Sequence, residues 1–572
     1  MMRGMWTPRQ WTLVVTTLLL IGCGDDGEPP CDTGTWTCSE DGYVLSQCVD
    51  GKWQDTACMV DQGQLCQDGA CVDPWRYDDP AWDDCAGDPL ATPESLHDKM
   101  VHYESLARRV HVRPPLKWML GVTLKDGADE DTATFDDVEQ WHTGENDGLW
   151  SSLYITAEAY RYAVTGDSEA LTMLQTLLEG ERDRMRITGV PGLFTRQLIP
   201  PDVPGIACPT DPTRYVPDEE KDDNMWVRIG SDGCIQTANP TTLAFESTTA
   251  CGLDDYAGWC WLDNVSQDEY SGHGLALAAV TQLVDDPTVR GMAADLLSQV
   301  AHHLIDNDLM LIDWDGRRTE HGSLWPPFIL GGYHAAMILG FFTAAVQATD
   351  DAEIEDFYQT CLLQTGVEES CWPDDDARAQ EPFPELLGNI ILYFGAGSCS
   401  SNWNNFSMYM LYLHTLLLAE RDPTIREAAQ GALRDMFEPE DEERPLVEQH
   451  NALFDFQFGA LKLLGPASDG PATDVVRDGL CQLRQFPASE HIPTLECPPT
   501  TCVLDTCVDR FEEPMSVNAR QTAERCPATF LWWGNPYRVD GCTENVRRLQ
   551  PPADFLLPYW MGRYYGFIDE TD

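Results

Sequence analysis

Basic residues are scarce: 36 lysines and arginines face 95 aspartates and glutamates, for a formal charge of -59. That balance argues against nucleic acid and anionic lipid headgroups as partners of the body of the chain, because both would be repelled. Beyond the apolar stretch from Trp11 to Ile21, no second apolar run is read as a membrane-crossing helix. A Gly-rich phosphate loop, a Gly-x-Ser-x-Gly elbow, a His-Glu-x-x-His zinc helix and an Asp-x-Asp-x-Asp-Gly calcium loop are all missing. Calcium stays open as a ligand only through the number of carboxylates. Otherwise so acidic a surface suits a salty or extracellular setting.

What is present starts at the N-terminus. Arg3 and Arg9 precede the Trp11–Ile21 stretch, which reads as a signal peptide over residues 1–22. Its end, Leu20-Ile21-Gly22-Cys23, resembles a bacterial lipobox, so Cys23 is the expected lipidation site and a membrane anchor. Gly24, where an aspartate would retain the protein at the inner membrane in some species, favours the outer membrane. Of 21 cysteines, the lipidated one leaves an even number, which in an exported chain reads as disulfides. They cluster at Cys31 to Cys71, Cys208 to Cys260 and Cys481 to Cys542, and none shows the Cys-x2-Cys spacing of a zinc site.

Residues 23–75 read as a linker and a small Cys-rich module with too little apolar content for a core of its own. From residue 76 to 572 the pattern is helical, with disulfide-bonded insertions near 189–262 and 481–550. Leu149, Leu153, Ala157, Tyr160 and Ala163 form one stripe at helical spacing. Asp167, Asp286, Asp350 and Asp422 are the expected N-caps of second helices, and Pro287 and Pro423 suit the first helical turn. Six polar loops, at Asp147, Asp268, Glu320, Asn402, Glu448 and Asp554, each open into an apolar, Ala- and Gly-rich helix. A helix at 92–110 stands alone and is expected to pair with the last one.

Six such hairpins resemble the six-hairpin glycosidase-like superfamily, and segments such as Asp313-Trp314-Asp315-Gly316 resemble exported lipoproteins of myxobacteria and their relatives. The resemblance implies a mainly α fold, an (α/α)6 toroid with a small N-terminal disulfide-rich module. It also implies a carbohydrate-active cavity lined by the six loops, with a glycan or small molecule as ligand. Glycoside hydrolysis needs two carboxyl groups, one kept protonated. Asp268, Glu269 and Glu320 are the expected catalytic residues. Asp147, Tyr270, His273, His321, Trp325, Asn402, Asn404, Glu448, His450, Asp554, Trp560 and Arg563 are the expected substrate contacts. Two alternatives stay open. A lyase would use amides, a histidine and a tyrosine from the same loops, and a non-catalytic lipoprotein would bind glycan or protein there. Any one of these carboxylates also suits an ordinary helix cap.

Overall fold

A computed structural model describes residues 35–38, 44–49, 52–57, 65–67, 70–72, 85 and 87–572, apart from 327–330, 365–370, 372–380, 440–441, 464–472, 498–501, 540 and 571. The expected signal peptide and Cys23 lie outside the described residues. Near the N-terminus, Trp36–Cys38, Val44–Val49 and Lys52–Ala57 form an antiparallel sheet, and Leu65–Gln67 pairs with Ala70–Val72. These residues belong to a compact unit of their own.

The larger unit is built on helix hairpins. Its helices are α1 (Leu96–Leu106), α2 (Asp147–Thr165), α3 (Ser168–Arg186), α4 (Gln267–Leu283), α5 (Pro287–Asp306), α6 (Gly331–Ala348) and α7 (Ala352–Phe357). There follow α8 (Phe383–Leu386), α9 (Trp403–Ala419), α10 (Pro423–Phe437), α11 (Ala452–Leu463), α12 (Thr473–Arg484) and α13 (Ala553–Tyr564). Asp167, Asp286 and Asp422 do cap α3, α5 and α10 through amides two or three residues on. The cap of α7 is Asp351, one residue beyond Asp350, and it accepts from Glu353 and Ile354.

α2 packs on α4 and α13, α9 on α6 and α11, and α4 directly on α9 as well as on α6. Small residues permit this closeness: a Cβ at Gly272 of α4 would lie 2.7 Å from the Leu149 carbonyl of α2. α1 meets α13, where the Tyr103 and Phe555 rings are 5.0 Å apart and Trp560 Nε1 donates to Glu104 at 2.7 Å.

The mainly α toroid is nevertheless not the fold. The described residues are 46% helical and 15% strand, which makes this a mixed α and β architecture. A five-stranded antiparallel sheet orders Phe245–Cys251, Cys234–Ala238, Trp226–Ile229, Cys260–Leu262 and Gln197–Ile199. A second sheet joins Gly121–Leu124 and Val138–His142 to His491–Ile492 and Asn545–Leu549, with Leu549 opposite Val122. Trp118, Val122, Trp141, Val227 and Trp261 pack in one core shared by both sheets. These strands escape a search for alternation because they are short and several are buried on both faces, as are all three residues of Gln197–Ile199 and Cys260–Leu262.

Disulfides secure the strand-rich segments. Cys208–Cys260 and Cys234–Cys251 close within one insertion, and Cys526–Cys542 and Cys497–Cys502 within the other. Cys85–Cys481 and Cys399–Cys507 instead tie distant segments together. Among the described residues no helix is long and apolar enough to cross a membrane.

Candidate functional site

Four of the expected residues meet where α2, α3 and α4 converge. Asp147 opens α2, and its Oδ1 accepts from the Gly144 amide at 2.7 Å. Glu269, fully buried on α4, does not cap its own helix: its Oε2 accepts from the Leu149 amide of α2 at 2.9 Å. His273, one turn on, places Nδ1 2.5 Å from Glu181 and 3.0 Å from Ser152, and its ring stacks on Phe194 at 4.0 Å. Tyr270 donates to the Gly192 carbonyl at 2.8 Å. Gly148 is required here, since a Cβ would lie 2.7 Å from Glu269 Oε2 and 2.9 Å from His273 Nε2. Burial drives the Glu269 carboxyl well above its usual range against the pull of Arg196, and lifts Asp147 to about 7 against Arg184. Both acids are therefore largely or substantially protonated at neutral pH, in a cluster closed to solvent. The arrangement holds three helices together.

The other expected residues are dispersed. Asp268 accepts from Ser266 beside it. Glu320 and His321 stand not before a helix but on an exposed strand, Arg318–Ser323, with side chains 42% and 61% exposed. Trp325 offers its carbonyl to His334 at 2.6 Å. Asn402 bonds Asn405 at the start of α9, and Asn404 contacts the Met408 sulfur. Asp554 accepts from the Leu531 amide, and Arg563 reaches the Tyr559 hydroxyl. The catalytic trio Asp268, Glu269 and Glu320 lines none of the cavities described below. The amides, histidine and tyrosine of the lyase alternative are likewise not gathered in one.

Glu448 and His450 do share a cavity, of about 650 Å³, with Glu443, Arg444, Asp474, Asp478, Asp505, Asn518 and Tyr537. It is built from the turn before α11, the first turns of α12 and the disulfide-rich segment beyond. His450 adopts φ 50°, a left-handed conformation uncommon for a side-chain-bearing residue. Arg525, partly buried, donates to the carbonyls of Gln449 and His450 and fixes that turn; desolvation lowers its guanidinium to about 10. Asp478 receives His450 Nδ1 at 2.9 Å. Nε2 makes no hydrogen bond among the described residues. Behind them Asp455 is 1% exposed, and burial together with Asp478 holds its carboxyl well above the usual range.

The one cation among the described lining residues is already committed. Arg444 pairs with Asp505 at 2.6 Å, donates to the Gly397 carbonyl and lies 5.1 Å from the Tyr537 ring centre. Five carboxylates set the sign of the cavity, which therefore attracts positive charge and hydrogen-bond donors and repels anions. Of Trp532 to Tyr537, only Tyr537 lines this cavity, whereas Trp532 is buried and donates to the Asp554 carbonyl.

Asp478, Asp474 and Asp505 were not singled out from the sequence. The spacing of Asp474 and Asp478 was a signal, since i and i+4 share a helix face. Asp505 gave none, because the Cys399–Cys507 bridge brings its segment to Arg444. Among the described residues no group of three or more His, Cys, Asp or Glu is placed to hold a metal ion, and His273, His321 and His450 share no common centre. No family model, no curated protein and no solved structure matches the chain.

Proposed function

We propose that the chain is an exported, lipid-anchored protein that binds a glycan free of negative charge in the acidic cavity around His450. One observation carries this reading: a cavity of about 650 Å³ rimmed by Glu443, Glu448, Asp474, Asp478 and Asp505, its single arginine neutralised. Carboxylates, an amide and an imidazole with a free Nε2 suit hydroxyl and amino groups, and they disfavour polyuronates. The disulfides support an oxidising compartment. An anchor at Cys23 is tested by Cys23→Ser, which should move the protein from the membrane to the soluble fraction; a variant that stays with the membrane overturns the anchor.

Binding is tested by calorimetry of the detergent-solubilised chain against neutral, amino-bearing and uronate oligosaccharides. Neutral or amino-bearing members should bind and uronates should not. Glu448→Gln or Asp474→Asn should weaken binding about tenfold, near 1.4 kcal/mol. Failure of every neutral and amino-bearing glycan, or preference for uronates, sinks the proposal.

A second reading rests on the His450–Asp478 pair, in which a carboxylate orients an imidazole as in general-base catalysis. Release of new reducing ends from the same panel, abolished by His450→Gln with binding retained, would make the protein a hydrolase. Binding without release leaves it a binding protein.

A further inference from the structure

The cavity around His450 does not stop at Asp478. A second cavity of about 390 Å³, lined by Cys85, Gly87, Asp88, Pro89, Arg477, Asp478, Cys481 and Gln521, has that same aspartate in its wall. Asp478 thus stands between two open spaces, holding His450 on one side and bordering the Cys85–Cys481 disulfide on the other. From Asp478 a chain of side-chain hydrogen bonds runs beneath the second cavity to Asp88. Gln482 donates to Asp478 at 3.1 Å and to Gln521 at 2.6 Å, while Gln485 donates to Gln521 at 3.1 Å and to Asp88 at 2.8 Å. Asp474, Asp478, Cys481, Gln482 and Gln485 follow one another along one side of α12 and the residue after it, a rise of about 16 Å.

From this continuity we infer that the two cavities are subsites of a single groove floored by α12, and that the ligand is a linear oligosaccharide lying across Asp478. The inference rests on the proposed glycan binding and extends it to the length of the ligand. A single sugar would fill only one cavity. An oligomer engages Glu448, Asp474 and His450 with one end and Asp88 and Gln521 with the other, and joining the two subsites raises affinity without any new kind of contact. The lining favours a sugar chain over a peptide. Its aliphatic members, Val447, Val475, Val517, Ala519 and Pro89, are small, and its aromatic ring, Tyr537, is already covered by Arg444.

Gly87 provides a clean test, because a Cβ built there meets no atom within 4 Å. Gly87→Trp should fill the second cavity without disturbing the fold, and an unchanged melting temperature verifies that. The probes are partly N-deacetylated chito-oligosaccharides of two and six units, titrated into the detergent-solubilised chain with oligolysine alongside. The hexamer should bind at least tenfold tighter than the dimer. Gly87→Trp, and independently Asp88→Ala, should bring the hexamer down to the affinity of the dimer and leave the dimer unchanged.

Equal affinity for dimer and hexamer in the wild type overturns the groove while leaving glycan binding standing. A length gain that survives both substitutions overturns it as well. Binding of neither oligomer, or of oligolysine alone, removes the glycan reading and the groove together.

Discussion

Lys221→Met should destabilise the protein by about 3–5 kcal/mol at pH 7, the usual cost of stripping one partner from a buried ion cluster. Lys221 Nζ lies 2.9, 3.0 and 3.2 Å from Asp263, Asp313 and Asp315, and its side chain is only 3% exposed. Asp263 follows the strand Cys260–Leu262, and Asp313 and Asp315 form the turn after Met310–Ile312, so one ammonium pins the five-stranded sheet to the neighbouring hairpin. The carboxylates have other duties too: Asp263 accepts from the Met225 amide and Asp313 from that of Asn264, each at 2.8 Å. Without the lysine they remain buried, mutually repelling and partly unpaired.

The loss should depend on pH. Burial and the neighbouring Asp313 already raise Asp263 to about 6 despite Lys221, against 3.8 when unfolded. A carboxyl with a raised folded pKa stabilises fully below its unfolded value, and that contribution is lost as pH rises through the folded value. Removing Lys221 enlarges the shift, so the penalty is greatest above pH 6 and shrinks toward pH 4, where Asp263 is protonated with or without it. Urea unfolding of wild type and variant at pH 7 and pH 4.5 measures both. The same penalty at the two pH values, or one below about 1 kcal/mol at pH 7, would contradict the role given to Lys221.

The helical half of this architecture was legible and the strand half was not, for reasons visible in particular residues. Leu149 to Ala163 repeat at helical spacing, and Asp167, Asp286 and Asp422 mark the next helix starts, because both signals lie within a few neighbouring residues. The pairing of Leu549 with Val122 links segments over four hundred positions apart and leaves no local pattern. Five of the six polar loops do open into a helix, and the one at Glu320 does not. What the loops serve was not legible, since Glu269 went to cap α2, Glu320 to an exposed strand, and only Glu448 and His450 to the acidic cavity. Asp313 and Asp315, noticed for their motif, serve Lys221. A carboxylate near a helix start has several uses, and only the packing of other elements selects among them.

Asp554→Asn should make the protein more stable than wild type above pH 8. Burial lifts the Asp554 carboxyl to about 8, aided by Glu490 and opposed by the Leu531 amide, and burial lifts Asp147 to about 7. Both start from 3.8 in the unfolded chain, so folding takes up protons, and the stability these groups add below pH 4 is lost as pH rises through 7 and 8. Carboxylates held below their usual range, such as Asp167 and Asp351, act with the opposite sign but have completed their effect by about pH 5. Between pH 5 and pH 7 stability should therefore decline by about 1.4 kcal/mol per pH unit for each raised group. The carboxamide introduced by Asp554→Asn can still accept from the Leu531 amide, and it removes one group's share of that slope; Asp147→Asn tests the other. Chemical unfolding at unit pH steps from 5 to 9 reads the slopes directly. Slopes unchanged by either substitution would mean that these carboxyls are ionised in the folded protein. If they fall as expected, Asp147 and Asp554 enter the neutral range largely as protonated groups serving the fold, which leaves the carboxylates around His450 to supply the negative potential for binding.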